Sequence, residues 1–139
     1  MRFMVIVKAS KESESGAIPD AKTLKEMGKF NEELVKAGIM LAGEGLHASS
    51  KGARIRFAAG KKTVIDGPFA ETKELVGGFW LWQVKSKAEA IEWLKRAPFE
   101  DTEVEIRQVF DPADFAPSDP TGELRKNEES LRQTVKTTS

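Results

Sequence analysis

The sequence predicts an α+β domain in which strands and helices follow the order βαββαβ, with a β-hairpin inserted between the second and third strands. Two observations support this prediction. Apolar residues recur at helical spacing after Asp20 and again after Ser86, and four other segments have the short apolar or alternating runs typical of strands. At 139 residues, the chain has the length of one domain with a sizeable core.

The first half of the pattern is a strand, a helix and a second strand. Residues 3–7 are continuously apolar, which favours a strand covered on both faces, and residues 10–18 are predicted to form an exposed loop. Asp20 can cap a helix that ends at Gly38. The apolar positions of this helix are Leu24, Met27, Phe30, Leu34 and Val35. The second strand begins at residue 39 and continues to residue 46.

The inserted hairpin alternates basic and apolar residues over 53–59. A two-residue turn at Gly60–Lys61 would place Asp66 opposite Ile55, on the apolar side of the ribbon, where Val64 also points. A carboxylate in that position is either paired or has a raised pKa.

The second half of the pattern is a strand, a helix and a final strand. Residues 78–85 carry apolar side chains on both faces, with Phe79 and Leu81 against Trp80, Trp82 and Val84. Ser86 and Glu89 form a capping box for the following helix, which ends at Pro98. Residues 103–109 alternate again and complete the pattern. This arrangement is the split βαβ, or ferredoxin-like, fold.

The helices can cover only one face of such a sheet. The other face is expected to be too apolar for water, at Trp80 and Trp82 especially, so a second copy should cover it and form a homodimer packed sheet to sheet. The domain is predicted to span residues 1–110. Residues 111–139 form a linker and a C-terminal helical tail, with the helix starting at Asp119–Pro120.

Composition excludes several classes of function. The 22 basic and 22 acidic residues cancel, so overall charge favours neither nucleic acid nor an anionic membrane. The absence of cysteine excludes disulfides and thiol nucleophiles and fits a reducing cytoplasm. The N-terminus is too short for a signal peptide, and no apolar run approaches a membrane span. We expect a soluble cytoplasmic protein. One histidine with scattered carboxylates predicts no metal site, and no cofactor motif is present.

His47 and Asp66 are the candidate catalytic residues. His47 is the single histidine and therefore has to supply any imidazole acid–base step, although an ordinary loop histidine is the alternative. Asp66 either caps its own turn or lies beside His47 as a coupled carboxylate–imidazole pair that moves a proton.

Several other residues could bind a substrate. Arginines directed towards a dimer interface form either intersubunit ion pairs or the walls of a pocket for a small anion. A Glu–Lys pair in the turn after Asp66 could line the same pocket. The candidates are Glu44, Arg54, Arg56, Glu71, Lys73, Trp80 and Arg107.

The run from Val64 to Glu74, which contains Asp66-Gly67-Pro68-Phe69, followed by Gly77-Gly78-Phe79-Trp80, resembles the DGPF motif of the YCII-related family. The resemblance extends from Met1 to about Phe110. It implies a dimeric α+β barrel similar to the muconolactone isomerase and dehalogenase group, whose members bind small acidic or cyclic molecules in a cleft. A His–Asp pair has suggested enzymatic activity in the family, and His47 and Asp66 are the nearest candidates in this sequence.

Two hypotheses follow. The first is a homodimeric proton-transfer enzyme, such as an isomerase or lyase, which acts on a small acid in a cleft near His47, Asp66 and the Glu71–Lys73 turn. The alternative is a binding or regulatory module without turnover, because members with the DGPF motif also look similar to proteins encoded beside extracytoplasmic-function sigma factors.

Overall fold

The computed structural model describes residues 1–138, in two compact units: Met1–Gln108 and a second that begins at Val109. The strands and helices are β1 (Arg2–Lys8), α1 (Lys11–Glu14), α2 (Ala21–Lys36), β2 (Met40–Gly45), β3 (Ala53–Ala58), β4 (Lys61–Asp66), β5 (Val76–Gln83), α3 (Lys87–Lys95), β6 (Val104–Gln108) and α4 (Glu123–Thr138). None of these helices combines the length and the apolar character that a membrane span needs.

Four strands form the central sheet of the first unit. Their order is β2-β5-β1-β6, and every neighbouring pair is antiparallel. With α2 between β1 and β2 and α3 between β5 and β6, this is the predicted ferredoxin-like α+β fold, which is confirmed. β3 and β4 form a separate two-stranded sheet, here called the ribbon.

Side-chain caps begin the helices α2 and α3 where the sequence predicts. The Asp20 carboxylate accepts a hydrogen bond from the Thr23 amide at 2.8 Å, and the Ser86 hydroxyl accepts one from the Glu89 amide at 3.1 Å. After α2 the chain turns at Gly38, whose φ of 72° is readily adopted only by glycine. The predicted loop over 10–18 is mostly exposed, as expected, but the prediction missed the short helix α1, which Ser10 caps.

The core lies between the sheet and its helices. Phe3, Val5, Trp80 and Trp82 are at most 5% exposed, and the Phe30 ring of α2 lies 5.8 Å from the Trp80 ring and 6.2 Å from the Trp82 ring. The sequence interpretation placed both tryptophans on the opposite face, which was wrong. Since β5 is apolar on both faces, alternation alone could not show which face the helices cover.

The face of the sheet opposite α2 and α3, here called the second sheet face, has an apolar centre and charged margins. Met4 pairs with Leu81, and Ile6 pairs with Phe79, across β1 and β5. Met4 is 37% exposed and the other three are partly buried. The charged residues Glu44, Glu105 and Arg107 lie on the same face.

The ribbon turns one residue earlier than expected. Its turn residues are Ala59 and Gly60, with φ values of 50° and 76°, so Ile55 pairs with Val64 and Asp66 lies opposite Ala53. Because the pairing shifts by two positions, Asp66 keeps its predicted face and loses only its predicted neighbour.

The second unit consists of a 3₁₀ turn over Pro112–Ser118 and the helix α4. The Asp119 carboxylate accepts hydrogen bonds from the amides of Leu124 and Arg125 at 3.2 and 3.0 Å. Asp119 therefore caps the helix as expected, but the predicted start at Pro120 was wrong. Gly122 has a φ of 75°, which delays the first helical residue to Glu123.

Candidate functional site

Three segments that are distant in sequence meet at the base of the ribbon. A 3₁₀ turn over Ser49–Lys51 follows β2, and its first residue joins the other two segments. The Ser49 hydroxyl donates a hydrogen bond to the Glu14 carboxylate of α1, and the Ser49 amide donates a second one at 2.8 Å. The Phe69 amide donates to the Ser49 hydroxyl oxygen at 3.0 Å. Ser49 thus connects α1 to the loop that follows β4.

These hydrogen bonds determine the ionisation of Glu14. The hydroxyl of Ser49 and, to a smaller extent, its backbone amide stabilise the carboxylate, so the pKa of Glu14 lies below its usual value. Glu14 is therefore ionised at neutral pH and acts as an acceptor that holds Ser49. This makes it a positioning group rather than a proton donor.

The loop after β4 fits against the same turn. The Gly67 amide donates a hydrogen bond to the Gly52 carbonyl at 3.1 Å, and the Gly67–Pro68 peptide bond is cis. A Cβ atom on Gly67 would lie 1.8 Å from the Ser49 carbonyl oxygen, so only glycine fits here. The Arg54 guanidinium carbon lies 3.9 Å from the centre of the Phe69 ring, a cation–π contact that holds Arg54 in place.

A surface cavity of about 530 Å³ opens at this junction, and we call it the His47 cavity. Its size lies within the range typical of small-molecule sites. The lining residues that can carry chemistry are Glu14, His47, Ser49, Lys51, Arg54 and Glu74. Because Ser49 already hydrogen-bonds the Glu14 carboxylate, the groups left to meet a ligand are the His47 imidazole, the cations Lys51 and Arg54, and the Glu74 carboxylate.

His47 lies in the segment between β2 and the 3₁₀ turn, and its side chain is exposed. It also borders a second cavity of about 340 Å³, which is lined by residues around α1 such as Ser10 and Ser13. Within the part of the chain that the structure describes, the imidazole forms no hydrogen bond or ion pair. The ring is therefore free to take part in contacts with a ligand.

The structure brings some of the predicted site residues together and separates others. His47 and Arg54 line the same cavity, and Arg56 lines a neighbouring cavity of about 500 Å³ that also includes Arg54. Asp66 is exposed at the end of β4 and does not line the His47 cavity. No hydrogen bond joins the Asp66 carboxylate to His47 among residues 1–138.

The remaining candidates lie elsewhere. Lys73 belongs to a 3₁₀ turn over Thr72–Glu74, which Glu71 precedes. Trp80 is buried and donates its indole N–H to the Asn31 side-chain oxygen at 2.9 Å. Arg107 lies on the second sheet face, where its Nε is 3.8 Å from a Glu105 carboxylate oxygen.

Sequence reasoning missed Glu14 and Ser49. The available signal was the Ser10 cap ahead of Lys-Glu-Ser-Glu, which marks the short helix that carries Glu14. The meeting of Glu14 with Ser49, 35 residues later, had no sequence signature.

Comparison with known proteins gives one family. The sequence model of the YCII-related domain matches residues 1–113. An uncharacterised protein of Rhizobium meliloti (strain 1021) is 33% identical over 76 residues, which cover 55% of this chain and 61% of the relative. The match therefore spans about three-fifths of the relative's length.

The chain is also similar to a solved structure. That structure is the 5-chloro-2-hydroxyhydroquinone dehydrochlorinase of Burkholderia phenoliruptrix AC1100, in complex with 2,5-dihydroxybenzoquinone. The match has 16% sequence identity and a TM-score of 0.37, and it covers 81% of this chain and 98% of that protein.

Proposed function

This chain belongs to the YCII-related family, and we propose that it binds a small organic acid in the His47 cavity and transfers a proton on it, as an isomerase or lyase does. The observation that carries the proposal is the composition of this cavity. It holds the chain's single histidine together with Lys51 and Arg54. An imidazole can accept and donate a proton near neutral pH, and Lys51 and Arg54 can bind the carboxylate of a substrate beside the Glu14 and Glu74 carboxylates that line the same cavity.

Each cavity residue has a distinct role in this proposal. Arg54, held against the Phe69 ring, presents a planar guanidinium that suits bidentate binding of a carboxylate. Lys51 supplies a second positive charge. Glu14 keeps Ser49 and the cavity wall in place, and His47 moves the proton.

The active form in this proposal is a homodimer that packs through the second sheet face. The support is the apolar centre of that face, where Met4, Ile6, Phe79 and Leu81 remain partly exposed. In such a dimer the charged margin, which includes Glu44 and Arg107, forms intersubunit ion pairs or walls of the cleft.

A binding or regulatory module without turnover is the second candidate. Two observations favour it: no described residue orients the His47 ring, and Asp66 lies outside the His47 cavity. A general base is ordinarily held by a hydrogen-bonded partner. Binding and chemistry must therefore be measured separately.

Binding is tested by NMR, with the His47 imidazole signals followed while a panel of small mono- and dicarboxylates is added. The signals need no assignment because the chain has one histidine. We expect at least one carboxylate to shift them, and Arg54→Ala to weaken that binding about tenfold, as loss of a charged hydrogen bond does. Arg56→Ala is the matched control, because Arg56 is on the same strand but outside the His47 cavity. If no carboxylate binds, both candidate functions are contradicted.

Proton transfer is tested in D₂O with each acid that binds. The result expected of the enzyme is incorporation of deuterium at carbon that His47→Gln abolishes, while the signals of the acid itself show that this variant still binds it. Binding without deuterium incorporation would instead support the binding module. Asp66→Asn measures whether this carboxylate contributes, since a coupled pair would show a changed pH profile for the exchange.

A further inference from the structure

The ribbon has backbone hydrogen-bonding groups at its outer edges that no other strand among the described residues pairs with. It is a two-stranded sheet. A two-stranded ribbon is marginally stable in water, and an unpaired edge is a template for another strand. The ribbon therefore has the backbone hydrogen-bonding capacity to bind a further strand.

One face of the ribbon is also apolar and uncovered. Ile55, Phe57 and Val64 lie on this face and are 54%, 71% and 65% exposed. Lys62 and Asp66 flank Val64 on the same face of β4, two positions away on either side. Along this face, β4 therefore presents a positive charge at Lys62, an apolar side chain at Val64 and a negative charge at Asp66.

We propose that β4 pairs antiparallel with β4 of a second copy, around a two-fold axis at Val64. In this register Val64 faces Val64 of the second copy, and Lys62 faces Asp66 of the second copy. By symmetry, the two copies form two such ion pairs. The product is a continuous four-stranded sheet with an apolar stripe across its centre. Facing apolar side chains and facing opposite charges both stabilise antiparallel sheets.

Charge complementarity selects this register and this edge. A two-fold axis requires facing side chains to lie on the same sheet face, which limits the possible registers. If the axis passed through Thr63, Lys62 would face Val64 and no ion pair would form. If β3 paired with itself around its central residues, with the axis at Ile55 or Arg56, Arg54 would face Arg56 or Arg56 would face its own copy, and like charges destabilise a pair.

This interface is distinct from the small-molecule site and from the second sheet face, and it does not depend on the proposed function. The alternative is that Lys61 and Lys62 keep the edge from associating, as lysines on exposed edge strands often do. The two possibilities differ in whether the edges of two copies meet in a fixed register.

A cross-linking experiment on the full chain separates them. The protein has no cysteine, so Val64→Cys introduces a single thiol. In the proposed register the two thiols face each other at a Cα separation that a disulfide can span. With oxidised glutathione, we expect nearly complete conversion to a covalent dimer. Lys61→Cys is the control on the same strand: its two copies would be six positions apart along the strand, about 20 Å, and should not cross-link.

Charge reversal tests the register itself. In the Val64→Cys background, Lys62→Asp places like charges opposite each other, and we expect cross-linking to slow about tenfold. Adding Asp66→Lys should restore the rate. Both positions are exposed, so the fold should be retained, which circular dichroism checks. The proposal is overturned if Val64→Cys cross-links no faster than Lys61→Cys, or if the double charge reversal does not restore the rate.

Discussion

The central sheet and the ribbon are both antiparallel and both carry apolar side chains, yet they differ in what happens to those side chains. On the helix-covered face of the sheet, Val5 and Trp82 are completely buried. On the apolar face of the ribbon, Phe57 is 71% exposed. The difference shows that alternation sets which side chains share a face, whereas burial requires another element to cover that face.

The two regions are consequently held by different forces. The sheet is stabilised by apolar burial and by contacts among aromatic rings, such as that between Trp80 and Phe30. The ribbon is attached at its base by hydrogen bonds around Ser49 and by the contact of Arg54 with Phe69. Substitutions in the two regions should therefore differ in how much they lower the free energy of unfolding and in how that loss depends on pH.

The largest effect is expected from Leu34→Ala in α2. Leu34 is 0% exposed and belongs to the core, so its truncation should lower the free energy of unfolding by about 2–5 kcal/mol. Urea denaturation measures this value. The neighbouring Val35→Ala is the control, because Val35 is 61% exposed and its truncation should cost less than about 0.5 kcal/mol. Equal costs would contradict the assignment of the buried face.

A smaller effect is expected from Gly67→Ala at the base of the ribbon. The new Cβ would overlap the Ser49 carbonyl oxygen, and the backbone would have to move, which we expect to cost about 1–3 kcal/mol. The same denaturation experiment applies. Gly45→Ala is the matched control, since a Cβ there meets no atom within 4 Å. A neutral Gly67→Ala would show that the loop is not held against the turn as described.

The smallest effect is expected from Glu14→Gln. Its dependence on pH distinguishes the hydrogen bonds at the base of the ribbon from the apolar packing of the sheet. Because the folded-state pKa of Glu14 is lowered, its interaction with Ser49 stabilises the protein fully above the ordinary glutamate pKa of about 4.3. That contribution is lost as pH falls through the lower folded-state pKa. The difference in Tm between the wild type and Glu14→Gln should therefore be present at pH 7 and shrink below about pH 4.

The cost of Leu34→Ala serves as the comparison for that measurement. Leu34 has no ionisable group and is packed among apolar side chains, so its cost should not change over the same pH range. Thermal unfolding followed by circular dichroism gives both values. A Glu14→Gln difference that stays constant down to pH 3 would contradict the ionic role of Glu14.

Much of the fold was predictable because its signals are local. Asp20 and Ser86 cap their helices where the sequence predicted, and Gly38 follows the end of the first long helix. These features depend on residues within one helical turn of each other, which a sequence shows directly. The turn of the ribbon was misplaced by one residue because it uses Ala59 with a positive φ, which sequence preferences do not favour.

The candidate site was less predictable. His47 and Arg54 could be proposed from residue type and position, and the structure places both at one cavity. Glu14 and Ser49 could not be proposed, because their contact joins a four-residue helix to a turn 35 residues later. The pairing of His47 with Asp66 stays a prediction that the NMR and exchange experiments test.

The sequence by itself determined the order of the four strands of the central sheet and of the helices α2 and α3, and with it the ferredoxin-like topology, because periodicity and capping are properties of short segments. Only the tertiary structure decided which face of β5 is covered, since Phe79 and Leu81 on one face are as apolar as Trp80 and Trp82 on the other. It also decided which charged groups share the His47 cavity. Both outcomes depend on how separate elements pack together, and no short segment of the sequence contains that information.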